Sequence, residues 1–340
     1  MRDRSVAPEL IVLDVGHGNT TVIRSSVVVV VDAAPGRALV EELQRVPVDR
    51  VDHLILSHAD KDHIGGAIAA MSQEEFSVTK LWLNPDAEKD SDTWGDLLAF
   101  AAALNRKGRL SVATSLNCGA SPICSSNDLS VEVLHPDVEL AGHGPVRMGG
   151  KFGTVSANGA SGVLKVTMGG RPAALLAGDA NQYAVQRMID QGQDLSADVL
   201  IFPHHGGHCD GDDYSFAKSL CEAVQPQAVV FSLGRSGLPN PQPDIVRGVR
   251  DGASGARILC TQLSRRCRSR DDGLDTLAAS SSHWLPLPSS GAPRHARCAG
   301  TLRIQVSEGD SHVFPAADDH RAFIMLAAPT SLCMGVSAGP

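Results

Sequence analysis

The sequence of 340 residues predicts an α/β (α+β) fold in four layers, an αββα sandwich of two sheets enclosed by helices. Short apolar runs bounded by turn residues alternate with amphipathic stretches of helical spacing, which indicates strands connected by helices. This alternation occurs in two successive rounds, and the second begins near "LSVEVLHP". Each round implies a mixed sheet that needs helices on its outer face, so the two rounds together predict four layers.

The first round starts at residue 9 with a strand in "ELIVLD". "TTVIRSS" and "VVVVVDAA" then suit a hairpin, because β-branched residues dominate and "RSS" offers the turn. Further strands are predicted in "VDHLILSH" and "KLWLNPD", and helices in "GRALVEELQRV", "HIGGAIAAMSQEEF" and "DTWGDLLAFAAALNRKG", the last of which ends at Gly108.

The second round predicts strands in "LSVEVLHP", "SGVLKVTM", "RPAALLAGDA", "ADVLIFPHHGG" and "QAVVFSLG", with helices in "NQYAVQRMIDQG" and "DDYSFAKSLCEAV". The segment 262–297 is different, because it is rich in Ser, Arg, Gly and Pro, and it predicts a surface loop or insertion. "GTLRIQV" resumes a strand after it. We therefore expect a single domain over residues 1–340 with this segment inside it.

The composition is that of a globular protein, with 43% hydrophobic and 20% charged residues. No apolar run approaches the ~20 residues of a membrane span, and no apolar stretch of a secretory signal follows the charged N-terminus. These features predict a cytoplasmic protein without membrane association. Eight cysteines are too sparse for a disulfide scaffold, so we interpret them as thiols or metal ligands. The net charge of −8 gives no general attraction to nucleic acid.

Three polar clusters each follow an apolar strand directly, where a rigid sheet can hold side chains in place. They are "SHADKDH" after "HLIL", "AGDA" after "AALL" and "FPHHGG" after "ADVLI". The first supplies four metal-ligand side chains in six positions. With one ligand from each of the other clusters, six are available, which is enough for two metals that share a carboxylate. The candidates are His58, Asp60, Asp62, His63, Asp179 and one of His204 or His205.

Each shorter cluster has a simpler interpretation when it is taken alone. A lone "GDA" is usually a turn, and adjacent histidines more often satisfy backbone groups than bind a metal. The first cluster is harder to explain in this way, because a glycine pair beside four ligands lets the backbone turn tightly. The order of the clusters and their strand contexts therefore favour a metal site.

With these motifs the sequence resembles the metallo-β-lactamase superfamily, whose usual loop reads H-x-H-x-D-H. Here Asp60 replaces the second His, as in the metallo-hydrolase domain of the DNA-uptake channel ComEC. "LDVGHGNTTVI" is similar to the opening D-V-G-Q-G-D stretch of that branch, with His17 and Asn19 as departures. Where the branch often has His-Pro-His-Pro, this chain has "NPQP", with Asn240 and Gln242. The resemblance covers about residues 9 to 250, and it includes no membrane channel.

The resemblance implies an αββα fold and a binuclear site. It implies that His58 and Asp60 bind one metal, that Asp62 and His63 bind the other, and that Asp179 lies between them. His205 is the favoured member of its pair to complete the second site, and His204 then faces the substrate. In the same way it implies catalytic roles for His204, Asp62 and Asn158, the last being the nearest match in "NGASG". His135 in "VLHPD" is interpreted as the end of a strand.

The predicted chemistry is hydrolysis by a hydroxide that bridges two divalent ions, because coordination lowers the pKa of water toward ~7. Zn²⁺ is favoured, and the oxygen ligand of Asp60 makes Mn²⁺ a credible alternative. The resemblance favours a phosphodiesterase or nuclease acting on nucleic acid or a small phosphodiester. The alternatives are hydrolysis of a small ester, lactone, lactam or thioester, or a metal-stabilised binding or effector subunit without catalysis.

The insertion carries two further hypotheses. Cys260, Cys267 and Cys298, with His295 or His283, would form a closed structural zinc site, although free cysteines are often only small core residues. A run of arginines would contact phosphate through their planar forks, although such runs are more often solvated. The arginines are Arg265, Arg266, Arg268 and Arg270.

Overall fold

The computed structural model describes residues 8–84, 89–126, 128–143, 155–235, 238–270, 272–273, 276, 284–285, 287–289, 296–307 and 309–334. The strands in these ranges are β1 Glu9–Val12, β2 Thr21–Arg24, β3 Val28–Val31, β4 Arg50–Leu56, β5 Ser77–Leu83, β6 Ser111–Ala113, β7 Cys124–Ser125, β8 Leu129–His135, β9 Val163–Met168, β10 Arg171–Leu176, β11 Val199–Ile201, β12 Ala228–Phe231, β13 Arg257–Cys260, β14 Leu302–Ser307 and β15 Asp310–Phe314. The α-helices are α1 Ala38–Arg45, α2 Lys61–Ile64, α3 Ala67–Met71, α4 Asp92–Arg106, α5 Val138–His143, α6 Gln182–Asp190, α7 Asp213–Val224, α8 Pro243–Gly252 and α9 Ala317–Ala327.

The strands form two mixed sheets, which confirms the predicted four-layered fold. The first sheet has the order β15-β14-β1-β2-β3-β4-β5-β6, and the second has the order β13-β12-β11-β10-β9-β8-β7. In the first sheet, β3 to β6 run parallel, and in the second sheet β10 to β13 run parallel. The predicted hairpin is present, since β2 and β3 pair antiparallel with Val22 opposite Val30.

Three apolar clusters define the layers. Side chains of both sheets, such as Leu10 and Ile55 from one and Leu164 and Val230 from the other, pack together between the sheets. A second cluster joins the first sheet to α1, α3 and α4, and a third joins the second sheet to α6, α7, α8 and α9. The alternation of side chains along each strand therefore divides each sheet between an inner and an outer core.

The single helix predicted from His63 to Phe76 is wrong in one respect, because two short helices, α2 and α3, occupy this region. Gly65 and Gly66 lie between them. A Cβ on Gly66 would lie 2.4 Å from the backbone oxygen of Ala34, so only glycine permits this close approach to the end of β3. The amide of Gly66 donates to the carbonyl of Ala33 at 2.7 Å, and the Ala33 amide donates to the carbonyl of His63 at 2.7 Å. This contact fixes His63 beside β3.

The segment 262–297 lies partly outside the described residues. In its described part, Gln262 forms an isolated bridge with Arg297, and Ser289 donates a hydrogen bond of 2.6 Å to the carboxylate of Asp14. β14 then pairs with β1 inside the first sheet. That residues 1–340 form one domain, with 262–297 as an insertion, stays a prediction. Among the helices in the described ranges, none is long and apolar enough to cross a membrane.

Candidate metal centre

The three polar clusters that follow β4, β10 and β11 meet at one edge of the sandwich. β10 and β11 run parallel in the second sheet, so the residues after their carboxyl ends are neighbours. The cluster after β4 reaches the same place from the first sheet. Ligand atoms of four residues all lie within 4.8 Å of one another, and these residues are Asp62, His63, Asp179 and His205.

Asp179 lies at the centre of this group. Its Oδ1 atom is 3.1 Å from Nε2 of His63 and 3.7 Å from Nε2 of His205. Nε2 of His205 is also 3.2 Å from Oδ2 of Asp62. His63, Asp179 and His205 are buried, whereas Asp62 is partly exposed. Two imidazole nitrogens and two carboxylates therefore converge from both sheets.

The remaining predicted ligands lie on the other side of Asp179. Nε2 of His58 is 3.6 Å from Oδ2 of Asp179 and 3.9 Å from Oδ2 of Asp60. The His58 and His63 rings are 4.0 Å apart between their centroids. Asp60 is more exposed and forms a close ion pair with Lys89. Asp179 thus contacts both sets of ligands, as a bridging carboxylate would.

The buried donor atoms at this edge fit a divalent cation. Nε2 of His58, Nε2 of His63 and Oδ1 of Asp179 are buried and make no hydrogen bond of good geometry. Buried polar atoms are normally paired, because leaving them unpaired costs free energy. These atoms point into one cluster of nitrogen and oxygen donors, which is the ligand set that zinc and similar ions take in proteins.

The electrostatics favour the ionised carboxylates. Burial raises the pKa of Asp179, but the charges of His63, His205 and His58 outweigh it and hold that pKa well below the usual range. Burial also raises the pKa of Asp62, but the hydrogen bond with His205 and the nearby histidine charges outweigh this effect and lower that pKa below its usual value. Both side chains are therefore carboxylates at neutral pH, the form that binds metal.

The two histidines behave differently. Burial, assisted by the charge of His63, lowers the pKa of His58 to about 4, so this ring is neutral. Burial also opposes protonation of His63, but the carboxylates of Asp179 and Asp32 raise its pKa well above the usual value. In the metal-free protein His63 thus holds a proton that a metal ion would displace.

Residues behind the ligands fix the orientation of the imidazole rings. Nδ1 of His63 is 2.8 Å from Oδ2 of Asp32, and Nδ1 of His205 is 2.6 Å from the carbonyl of Ser232. Oγ of Ser57 is 3.1 Å from Nδ1 of His58 and donates to Asp32 at 2.9 Å. With each Nδ1 held in this way, each Nε2 faces the centre, which is how outer residues orient metal-bound histidines.

Sequence reasoning missed Asp32 as a site residue. Its backbone has a φ of 58°, in the left-handed region that Asp and Asn tolerate better than most residues. The amide of Ser57 donates to its Oδ1 atom at 2.7 Å. The available signal was its position directly after the run "VVVVV", the same strand-then-polar pattern that identified the other clusters.

A cavity of about 560 Å³ opens over the centre. His17, which was noted only as a departure from a motif, lines it together with Asp60, Asp62, Asp179 and His204. Nε2 of His17 is 3.3 Å from Oδ2 of Asp62, and its ring centroid is 4.5 Å from that of His205. Gly18 holds this loop close, because a Cβ there would lie 2.3 Å from the backbone oxygen of Asp62. The sequence signal was a histidine between two glycines after a strand.

Two of the three predicted catalytic residues, Asp62 and His204, line the cavity, and Asn158 does not. His204 lines the cavity, and its Nδ1 atom is 2.8 Å from the carbonyl of His208. Asn158 lies in a short 3-10 helix, Asn158–Ala160, and is not among the described residues that line the cavity. Ser161, just after that helix, instead places its Oγ 3.4 Å from Nδ1 of His58. As predicted, His135 ends β8.

Several arginines of the insertion contact backbone carbonyls. Arg265 donates to the carbonyl of Arg235 at 3.1 Å, and Arg268 donates to that of Ala327 at 2.8 Å. Arg266 donates to Oε1 of Gln242, a residue that lines the cavity, at 2.5 Å. Arg270 is exposed. Arg266 thus contacts the cavity wall through Gln242 and is not itself among the described residues that line the cavity.

The predicted zinc ligands Cys260, Cys267 and Cys298 lie in or against one apolar cluster of the second sheet. His295 and His283 lie outside the described residues. A different histidine, His320 on α9, lies beside Cys298.

Comparison with known proteins gives the family context. A family model described as "Metallo-beta-lactamase superfamily" matches residues 13–211, more than half of the chain. Similar solved structures include YhfI of Bacillus subtilis, a metallo-beta-lactamase fold protein, at 14% identity, with 74% of this chain and 96% of that chain covered and a TM-score of 0.46. Tm1679, a metal-dependent hydrolase of the beta-lactamase superfamily, matches at 12% identity, with coverages of 74% and 95% and a TM-score of 0.45. The short form of human tRNase Z matches at 12% identity, with coverages of 65% and 91% and a TM-score of 0.37. Among curated proteins, none matches this chain in sequence.

Proposed function

Because this chain belongs to the metallo-β-lactamase superfamily, we propose that it is a metal-dependent hydrolase that cleaves a phosphodiester, in nucleic acid or in a small molecule. One observation carries the metal-dependent part. Three buried donor atoms, Nε2 of His58, Nε2 of His63 and Oδ1 of Asp179, lie together and make no hydrogen bond of good geometry. We propose two divalent ions, with Zn²⁺ favoured and Mn²⁺ as the alternative.

Six residues would hold the ions. Asp179 would bridge them, His58 and Asp60 would bind one ion, and Asp62, His63 and His205 would bind the other. Bound divalent ions supply a water molecule of lowered pKa and stabilise negative charge in the transition state. The protein contributes a fixed geometry, since Asp32, Ser57 and the Ser232 carbonyl hold the imidazole rings before substrate arrives.

His204 is the candidate for contact with the substrate. Its Nδ1 atom is engaged with the carbonyl of His208, which leaves Nε2 as the ring nitrogen able to meet a ligand in the cavity. We propose that the ring acts in its doubly protonated form, in which this nitrogen donates a hydrogen bond, or a proton, to an oxygen of the substrate, because the Nδ1 proton already meets the His208 carbonyl. His204 is half-buried, so it can reach the cavity without being sealed inside the core.

Two cations support an anionic substrate. Lys61 lines the cavity, and Arg266 contacts Gln242 at its edge. A phosphodiester carries one negative charge, which such cations attract despite the net charge of −8. The similarity of "SHADKDHIGG" to the ComEC branch supports the same substrate class. A small ester, lactone, lactam or thioester is the second candidate, because Pro35 and Leu238 add apolar surface to the cavity.

A substrate panel distinguishes these candidates. Protein loaded with Zn²⁺ or Mn²⁺ is assayed on single-stranded DNA, duplex DNA, RNA and a small phosphodiester, and on lactam, lactone and thioester substrates. We expect kcat/KM for at least one phosphodiester to exceed that for every other class by about tenfold or more, a difference of about 1.4 kcal/mol in barrier. The Asp62→Ala variant shows which activities come from this centre. A preference for lactam, lactone or thioester would contradict the phosphodiesterase proposal.

We further propose that His17 adds a ligand to the ion held by Asp62 and His205. The His17→Ala variant is expected to bind Zn²⁺ about tenfold more weakly, because losing a group that supports a metal typically costs about 10- to 100-fold. Competition with a chromophoric chelator measures this affinity without any assay of activity. His204→Ala is the matched control, since it removes another histidine of the same cavity. Equal Zn²⁺ affinity in His17→Ala and the wild type would exclude His17 as a ligand.

A further inference from the structure

A second cluster of metal-ligand side chains lies in the outer core of the second sheet. It contains four cysteines and one histidine from separate parts of the chain. Cys260 ends β13, Cys267 follows in a turn, and Cys298 lies shortly before β14. His320 lies on α9, and Cys333 lies in a 3-10 helix, Leu332–Met334. None of these residues belongs to the metal centre described above.

Backbone hydrogen bonds bring Cys260 and Cys298 together. The amide of Ala299 donates to the carbonyl of Cys260 at 2.8 Å, and the amide of Cys298 donates to that of Thr261 at 3.2 Å. These bonds place Cys298 beside Cys260, and both side chains are buried. Sγ of Cys298 is 3.3 Å from Nε2 of His320, which is also buried. A thiol pair and an imidazole nitrogen thus meet inside the protein.

Two further thiols adjoin this pair. Cys267 and Cys333 both pack against the apolar cluster that contains Cys260 and Cys298. The Sγ atom of Cys333 already has a partner, because it lies 3.2 Å from Oγ of Ser331. In the turn that carries Cys267, the Cys267 amide donates to the carbonyl of Ser264 at 3.0 Å. Of the two, Cys267 is therefore the better candidate for a fourth ligand.

We propose that Cys260, Cys267, Cys298 and His320 bind a structural Zn²⁺ ion. Three sulfurs and one imidazole nitrogen form a common closed set for tetrahedral zinc. These donor atoms are spread more widely than the group around Asp179, the described set whose ligand atoms lie within 4.8 Å of one another. Binding would therefore require these side chains to rotate toward one another. Each thiol releases its proton to water as its zinc–sulfur bond forms, and no electrons are transferred.

Such an ion would attach α9 and the turn at Cys267 to the edge of the second sheet. Without it, apolar packing such as that of Phe323 and Ile324 would hold α9. The proposed site keeps the three cysteines of the sequence prediction and takes His320 in place of His295 or His283. This inference is independent of the proposed hydrolytic function, because it uses none of the same ligands.

The experiment starts from the full chain with Asp62→Ala, His63→Ala and Asp179→Ala, which removes the central carboxylate and two further ligands of the other centre. We expect about one equivalent of Zn²⁺ per chain to remain on purification. In this background Cys260→Ser with Cys298→Ser is expected to lose that equivalent, whereas Cys333→Ser, the matched control, is expected to retain it. Substitution with Co²⁺ is expected to give a thiolate-to-cobalt charge-transfer band in the near ultraviolet, which a centre of His and Asp alone does not give.

A measurement on the wild type covers the case in which the cysteine variants do not fold. A thiol-specific mercurial is added to the zinc-loaded protein, and released Zn²⁺ is followed with a chromophoric chelator. Release of about one equivalent as the thiols react supports the proposal. The proposal is overturned if the mercurial releases no zinc, if Co²⁺ gives no thiolate band, or if mass spectrometry shows a disulfide between Cys260 and Cys298.

Discussion

Replacing Asp62 and His63 together by alanine is expected to abolish hydrolysis, with kcat/KM falling about a thousandfold or more. His63 contacts the central Asp179 at 3.1 Å, and Asp62 contacts His205 at 3.2 Å. Removing both leaves the second ion with only part of its ligand set. Metal ions supply several kcal/mol of transition-state stabilisation, and about 4 kcal/mol corresponds to a thousandfold in rate. Metal analysis of the purified variant and steady-state kinetics on the best substrate of the panel measure the two losses.

The chain offers a matched control ten residues earlier. Asp52 and His53 are likewise an adjacent Asp and His, and both are half-buried. They lie on β4, where Asp52 accepts a hydrogen bond from the Val28 amide at 2.8 Å. Replacing this pair by alanine should leave metal content and kcat/KM within a few-fold of the wild type. If the Asp62 and His63 variant loses its metal but retains its biological activity, the protein is a metal-stabilised binding or effector subunit and not a hydrolase.

Removing the carboxylate of Asp32 is expected to weaken metal binding about 10- to 100-fold, although Asp32 is not a proposed ligand. This carboxylate accepts from Ser57 through both oxygens and lies 2.8 Å from Nδ1 of His63. Without it the His63 ring loses the partner that aims Nε2 at the centre. It also loses a negative charge that strengthens the imidazole as a base. Isothermal titration of the metal-free protein with Zn²⁺ gives the affinity directly.

Two substitutions of Asp32 distinguish the effect of its charge on metal affinity from the effect of its backbone conformation on stability. Asp32 has a φ of 58°, a conformation that Asn tolerates and Ala disfavours. Asp32→Asn and Asp32→Ala should therefore lose similar metal affinity, while Asp32→Ala also lowers the free energy of unfolding by about 1 kcal/mol or more. Denaturant unfolding of the metal-free variants measures this second effect. An unchanged Zn²⁺ affinity in Asp32→Asn would show that the negative charge beside His63 does not support the metal.

Local patterns in the sequence predicted the elements that position the site. The strands before "SHADKDH", "AGDA" and "FPHHGG" are present as β4, β10 and β11, because short apolar runs and the turns after them are encoded by neighbouring residues. The helix predicted across Gly65 and Gly66 was wrong, because local periodicity does not reveal that the end of β3 approaches these glycines. Asn158 is half-buried outside the cavity, while Ser161 contacts His58. The 3-10 helix Asn158–Ala160 ends just before Ser161, so Ser161 and not Asn158 lies next to the metal centre.

The sequence by itself determined the αββα fold, the family resemblance and the three polar clusters that supply the candidate ligands. These features depend on periodicity, turn chemistry and spacing over a few residues, which the order of amino acids fixes directly. Only the tertiary structure decided which distant side chains meet. Asp32 supports His63, His17 reaches Asp62, and His320 lies beside Cys298. Such contacts depend on strand order and on how the layers pack, and residues far apart in the chain carry no local signal of either.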